Sequence, residues 1–326
     1  MFFHKSILQI IFLEFNQKVL QEGEWYIPKI SSAHYNKFMK FTFLGTGTSH
    51  GVPVIACDCE VCRSNDSRDK RLRTSGFLQT DDEHYILFDA GPEFRIQALE
   101  NNITKLDSIL LTHSHADHLH GIDDVRVFST KMYKVPTDPR SLEQYNAPPL
   151  QLFTNAVTAQ DLRERFGYIF SNVIEGGGVA KINLVEVKEP FYIGETKITP
   201  VPMMHGHLET CGFLVTSKNN KSLAYLTDCN FISDESFALI NKNCGTLEHL
   251  VIDGLRIKEH STHFNFDQAL AAAEKLSPKH VWVVHLTHNA THVQVTDYLN
   301  ENLKNYPGLK NAESVLPAYD KLSLEF

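Results

Sequence analysis

Residues 112–118 read Thr-His-Ser-His-Ala-Asp-His, three histidines and an aspartate in the pattern H-x-H-x-D-H. Imidazole and carboxylate are preferred ligands of zinc and neighbouring transition metals. The apolar run Ile109-Leu110-Leu111 comes just before them, so the ligand types stand where a buried strand gives way to loop. His113 and His115 alternate, which lets both rings point to one side of an extended stretch. Asp117 and His118 follow at the turn and can face a second point a few ångströms away.

Apolar strands end in potential ligands again and again further along. Thr199-Pro200-Val201-Pro202 leads to His205, Leu223-Ala224-Tyr225-Leu226-Thr227 to Asp228, Leu250-Val251-Ile252 to Asp253, and Val281-Trp282-Val283-Val284 to His285. Strands that feed residues to one rim are how α/β folds build active sites. The set suffices for two cations: His113, His115 and His205 for the first, Asp117, His118 and His285 for the second, with Asp228 bridging them. The two carboxylates leave the pair of cations with residual positive charge, which favours a bridging hydroxide and an anionic substrate. Two cations ~3.5–4 Å apart suit in-line attack at phosphorus.

A leaving alkoxide then needs an acid. His263 is off the ligand list and close in sequence to the strand ends, so it is the candidate, with Asp253 to orient it. A polar loop histidine is its other reading. Asp89 follows the strand Tyr85-Ile86-Leu87-Phe88. It reads either as a carboxylate that orients a metal-bound imidazole or as a turn former before Ala90-Gly91.

Cys57, Cys59 and Cys62 crowd into six residues, a spacing that can wrap one tetrahedral zinc. A closed site needs a fourth ligand. Cys211, Cys229 and Cys244 have apolar neighbours and read as core, which makes histidine the better candidate.

These residues sit in an ordinary globular composition: 326 residues, 42% hydrophobic, 21% charged, ample for a large core. The net charge of −8 argues against a general nucleic-acid coat or a polybasic membrane patch. Crowded thiols suggest a reducing, cytoplasmic setting, and no apolar stretch approaches the ~20 residues of a membrane span. Met39 stands directly before the first strand, Lys40–Leu44, so residues 1–38 read as an extension and 39–326 as the catalytic domain. The loop Gly45-Thr46-Gly47-Thr48-Ser49 lacks a P-loop ending and reads as a tight turn beneath the metal site. Residues 129–150 hold four prolines and little periodicity and read as a loop or lid. A helix is expected over Phe266–Leu276, with Asn265 and Gln268 spaced as a capping box.

The ligand series, from H-x-H-x-D-H through His205, Asp228 and His285, resembles the metallo-β-lactamase superfamily. Leu44-Gly45-Thr46-Gly47, the cysteine cluster, Phe88-Asp89-Ala90-Gly91-Pro92-Glu93-Phe94-Arg95, Ala116-Asp117-His118-Leu119-His120-Gly121 and His285-Leu286-Thr287-His288 resemble one branch of it, the PhnP-like cyclic phosphodiesterases. The resemblance covers residues 39–326. It implies an αββα sandwich and a dinuclear site of zinc or manganese on one edge. It also implies a structural zinc on Cys57, Cys59, Cys62 and His288, a catalytic histidine at 263, a small, cyclic phosphodiester as substrate, and a capacity to form homodimers.

Two rival functions need discriminating. A tRNA 3′-processing endonuclease of the same superfamily shares the metal residues but usually carries a basic arm. Residues 129–190 hold seven Lys or Arg and seven Asp or Glu, so no net positive arm appears there. A non-catalytic, metal-stabilised binding protein is the other rival, and the intact ligand set weighs against it.

Overall fold

The computed structural model describes residues 38–129, 148–170 and 179–326, together with the backbone of 131–133 and 144–146. The chain divides into two units, Met1–Lys37 and Phe38–Phe326. The expected extension, residues 1–38, lies outside the described residues except for Phe38.

Buried apolar runs form sixteen strands among the described residues. In chain order they are β1 (Lys40–Gly45), β2 (Ser75–Gln79), β3 (Tyr85–Phe88), β4 (Ser108–Leu110), β5 (Lys131–Tyr133), β6 (Gln144–Asn146), β7 (Leu150–Thr154) and β8 (Ile182–Glu186). Then follow β9 (Phe191–Ile193), β10 (Thr196–His205), β11 (Leu208–Thr216), β12 (Lys221–Leu226), β13 (Thr246–Asp253), β14 (His280–Val284), β15 (Ser314–Pro317) and β16 (Ser323–Glu325). Two seven-stranded sheets result, in the orders β16-β1-β2-β3-β4-β7-β8 and β15-β14-β13-β12-β11-β10-β9. Each has an antiparallel half, β16 to β3 and β9 to β12, and a parallel half, β3 to β8 and β12 to β15. The strands β5 and β6 pair antiparallel inside the stretch expected to be loop, starting at Lys131↔Asn146. Three-residue strands are too short to leave a periodic signal. The remainder of 130–147 lies outside the described residues.

The sheets face each other across an aromatic core. Phe41, Phe88, Phe213 and Tyr225 are almost completely buried there, and the Phe88 and Tyr225 rings lie 4.7 Å apart. Burying each contributes on the order of 2 kcal/mol. The parallel strands are buried on both faces. Val251 of β13 points between the sheets, while Leu250 and Ile252 pack against the helix Phe266–Leu276. On the first sheet Ile109 and Leu111 meet Leu119, Val125 and Leu162 in a third core. Helix, sheet, sheet, helix is the order of layers, the expected αββα sandwich. Asn265 caps its helix in a full capping box with Gln268, as expected. None of the described helices is long and apolar enough to cross a membrane.

Strands β1, β3, β4, β10, β12, β13 and β14 all run the same way within their sheets, so their carboxyl ends share one edge. That edge is where an open α/β sheet offers a binding crevice.

Candidate metal centre

Asp89, Asp228 and His285 each follow the end of a strand, and each is in the left-handed region, at φ 59°, 56° and 62°. Non-glycine residues seldom adopt such a backbone, and it tends to appear where function fixes a side chain. Here it bends the chain sharply as it leaves β3, β12 and β14. Gly91 and Gly121 allow a second close approach. A Cβ on Gly91 would stand 2.1 Å from the carbonyl oxygen of Asp117, and one on Gly121 would stand 2.0 Å from that of Gly91. Only bare backbone lets the Asp89–Gly91 turn lie against the short helix Ala116–Leu119, which carries Asp117 and His118.

Two donor clusters meet on this edge. His113, His115 and His205 offer nitrogens within 4.8 Å of one another, and Asp117, His118, Asp228 and His285 do the same. The two are contiguous: the His113 and His118 rings are 4.4 Å apart. Asp228 reaches both His118 Nε2 (Oδ2, 3.2 Å) and His285 Nε2 (Oδ1, 3.2 Å), and Asp117 Oδ2 lies 3.3 Å from His118 Nε2. Nitrogen and oxygen ligands on one tetrahedral cation at zinc distances lie about 3.3 Å apart. The Nε2 atoms of His113, His118 and His285 are fully buried with no hydrogen-bond partner. Buried polar atoms left in that state are costly unless something else bonds them, and a cation is what imidazole nitrogens facing carboxylates would bond. The donor set fits two divalent ions.

The electrostatics agree. Burial holds His113 well below the usual histidine range. Burial acts on His118 in the same direction, yet Asp228, Asp117 and Asp89 outweigh it and raise His118 well above that range. Burial opposes charge on Asp228 too, and His118 and His285 overcome it to hold the carboxylate ionised. The histidine cluster is thus kept in the neutral form that binds cations, and the carboxylates beside His118 favour positive charge.

Asp89 turns the chain and also bonds an imidazole of the donor set, so both of its readings describe it. Its Oδ2 accepts a hydrogen bond from His118 Nδ1 at 2.8 Å. The Thr112 hydroxyl lies 3.0 Å from Asp89 Oδ1 and 3.0 Å from His113 Nδ1, which links the same carboxylate to a second imidazole. Sequence reasoning passed over Thr112, since nothing in a lone threonine before a histidine shows where a neighbouring strand ends.

His263 lies at the mouth, its ring 4.4 Å from that of His205 and 4.5 Å from that of His285. Its Nδ1 donates to Asp253 Oδ2 at 2.9 Å. Burial works against its proton, but Asp253 outweighs burial and lifts the pKa to about 9. His205 Nδ1 donates to the carbonyl of Thr262 at 2.6 Å, which ties the His263 loop to a member of the first cluster.

The thiols form a second centre. Sγ of Cys57, Cys59 and Cys62 lie 3.3, 3.4 and 3.4 Å from His288 Nδ1. A tetrahedral zinc with Zn–S near 2.3 Å and Zn–N near 2.0 Å sets sulfur–nitrogen edges of about 3.5 Å. These four residues fit that ion. The backbone N–H of Cys62 lowers the Cys59 thiol to about 6, whereas burial raises Cys62 to about 11. Cys211 and Cys229 are buried and Cys244 packs at the core margin, far from thiol chemistry, as expected.

This edge, with its two facing sheets, defines a metallo-β-lactamase-fold hydrolase. Residues 84–286 match the family model for the beta-lactamase superfamily domain. A crystal structure of a new diphosphatase from the PhnP family superposes with a TM-score of 0.69, at 34% identity over 89% of this chain and 97% of that one. The chain belongs to the metallo-β-lactamase superfamily, in its PhnP-like branch, and is a metal-dependent hydrolase. Zinc-bound PqqB from Methylobacterium extorquens shares the fold, with a TM-score of 0.66 and 16% identity over 88% of this chain and 100% of that one. An octanoyltransferase from Porphyromonas gingivalis is 34% identical over 254 residues, 77% of this chain. The chain spans 46% of that relative.

Proposed function

We propose that this protein hydrolyses a small phosphodiester, a cyclic one first among candidates, by in-line attack at phosphorus over the His113–His285 donor set. The observation that carries the reading is His263. It is a buried histidine, lifted to about 9 by Asp253 and in ring contact with both donor clusters, so it holds a proton at neutral pH beside the reacting group. A leaving alkoxide needs such a donor.

When bound, a pair of divalent ions supplies a water acidified to near neutrality and a clamp for phosphoryl oxygens. The protein's own residues do the rest. His113, His115 and His205 would hold one ion, Asp117, His118 and His285 the other, with Asp228 shared. Asp89 fixes the rings of His118 and, through Thr112, His113. His263 Nε2 gives its proton to the leaving oxygen, and Asp253 holds the ring and stabilises its charge. Cys57, Cys59, Cys62 and His288 would hold a structural zinc, which would brace the loop after His285. Catalysis is assigned to the domain 39–326, in the cytoplasm and as a homodimer.

The 34% identical PhnP-family relative named as a diphosphatase favours a second substrate with the same chemistry, a diphosphate linkage, whose leaving phosphate also takes up a proton. Elemental analysis of the purified protein, together with a screen of cyclic phosphodiesters, linear phosphodiesters, diphosphate diesters and precursor tRNA, tests the proposal. Three metals per chain with turnover of a small ester supports it. Cleavage of precursor tRNA alone moves the assignment to the endonuclease, and no turnover with metal bound moves it to a binding protein.

A further inference from the structure

Residues 254–265, between β13 and the helix Phe266–Leu276, carry more than the His263 acid. The segment is clamped from several sides. Leu255 N donates to Phe264 O, Phe264 N donates to Cys229 O, and Asn230 Nδ2 donates to Ser261 O at 2.9 Å. Asn230 Oδ1 accepts from Gly206 N at 2.8 Å, so the same asparagine ties this loop to the turn after His205. Arg256 folds back on the carbonyls of Lys258 and Glu259. A loop held this way presents its side chains at fixed positions, as a binding site requires.

His260 stands on this loop with its ring 5.4 Å from that of His263. Thr262 N–H points at its Nδ1 from 3.4 Å, and Thr262 Oγ1 lies 3.2 Å from the same atom. An N–H needs a lone pair to meet it, so Nδ1 is the acceptor and the ring hydrogen lies on Nε2. Burial, with His263 and Arg256 nearby, holds the His260 ring below the usual histidine range. The ring is half-buried, and the contacts of its Nδ1 to Thr262 leave the Nε2–H to point away from the loop backbone. Beside His263 there is thus an imidazole donor whose position is fixed by its loop. An imidazole can add a hydrogen bond to an oxyanion here without carrying a fixed positive charge toward cations in the donor clusters.

We propose that His260 is a substrate-binding residue whose Nε2–H donates to an oxygen of the substrate's phosphoryl group, on the side where His263 delivers its proton. For the identity of the oxyanion, this rests on the phosphodiesterase reading above. Hydrogen bonds to charged oxygens are worth enough for a tenfold or larger effect on affinity.

The test uses the metal-loaded full chain, with inorganic phosphate as the probe in calorimetry and a small phosphodiester in kinetics. His260→Ala is expected to weaken phosphate binding about tenfold or more and to raise KM by a similar factor. Its kcat is expected to stay within about threefold and its metal content to stay unchanged. His260→Gln keeps an N–H donor and is expected to recover most of the loss. Phosphate affinity and KM within twofold of the parent in both variants would overturn the proposal and leave the phosphodiesterase reading standing. Phosphate binding that depends on His260, in a protein that cleaves no phosphodiester, would leave His260 as an oxyanion donor and remove only the assigned substrate.

Discussion

Asp89 stands at the end of one strand and His118 in the first turn after another, 29 residues on, yet the carboxylate accepts the ring N–H of the imidazole at 2.8 Å with both side chains fully buried. The backbone of Thr112 donates to the same carboxylate at 2.8 Å, and the Thr112 hydroxyl continues the chain of contacts to His113. One buried carboxylate therefore sets the orientation of an imidazole in each donor cluster.

Replacing Asp89 by Asn keeps the shape and removes the charge. The asparagine amide can no longer hold the His118 tautomer as a carboxylate does. Such supporting contacts are typically worth 10- to 100-fold in metal affinity. Asp89→Asn is expected to weaken metal binding by a factor of about 10 to 100 in competition with a chelator. Thr112→Val, which removes the hydroxyl's contacts to Asp89 and His113 but keeps the backbone bond to Asp89 and the Asp89–His118 pair, is expected to show a smaller loss.

His263 and Asp253 make a second such pair, at 2.9 Å. His263→Ala is expected to lower kcat by roughly 10²–10⁴ while metal content, read by elemental analysis, stays at the parent level. Asp253→Asn removes the charge that raises the His263 pKa toward 9. The acid form of His263 is the active one and is lost as pH rises, so the alkaline limb of the kcat/KM profile is expected to move to lower pH. A profile unmoved by Asp253→Asn would take the proton-donor role away from His263.

The H-x-H-x-D-H series and the strand-end residues His205, Asp228, Asp253 and His285 could be picked out from sequence because histidines and aspartates recur at the end of one apolar run after another. The αββα layering followed from the resemblance those residues carry. Less visible were the devices that aim the side chains. The left-handed backbone at Asp89, Asp228 and His285 is not marked in the sequence, since aspartate and histidine tolerate it more often than most residues but adopt it only occasionally. Strand β11, Glu-Thr-Cys-Gly-Phe-Leu-Val at its centre, is buried on both faces and shows no alternation to mark it. His260 drew no notice because a histidine followed by Ser-Thr reads as a polar loop until its ring is seen beside His263.

His285 and His288 lie three residues apart and belong to different centres. Leu286 between them is pinned by its backbone, with its N–H donating to Thr46 O and its carbonyl accepting from Thr48 N. The thiolate centre is thus joined to the hydrolytic one through a short, fixed turn. Cys62→Ala, at the most buried of the three thiols, is expected to lower metal content by one equivalent per chain and the melting temperature by about 5 °C or more. Full metal content in that variant would show that the cysteines hold no ion.

Two histidines outside both centres are expected to add to the acid sensitivity of the fold. His249 on β13 and His292 at the start of the last long helix are both lowered to about 4, chiefly by burial, with His280 adding to the effect at His249 and Arg71 at His292. A histidine whose folded pKa lies below its unfolded value near 6.5 binds its proton more readily when the chain is unfolded. Its contribution is therefore complete above about pH 6.5 and is lost progressively as pH falls toward 4. A depression of that size corresponds to up to about 3 kcal/mol per group. Urea denaturation of the metal-free protein is expected to show stability falling steeply between pH 6.5 and 4. His249→Gln, which leaves Trp282 Nε1 an acceptor in place of the His249 Nδ1 it now meets at 3.2 Å, is expected to flatten part of that slope. An equal slope in the variant would assign the acid sensitivity to other groups.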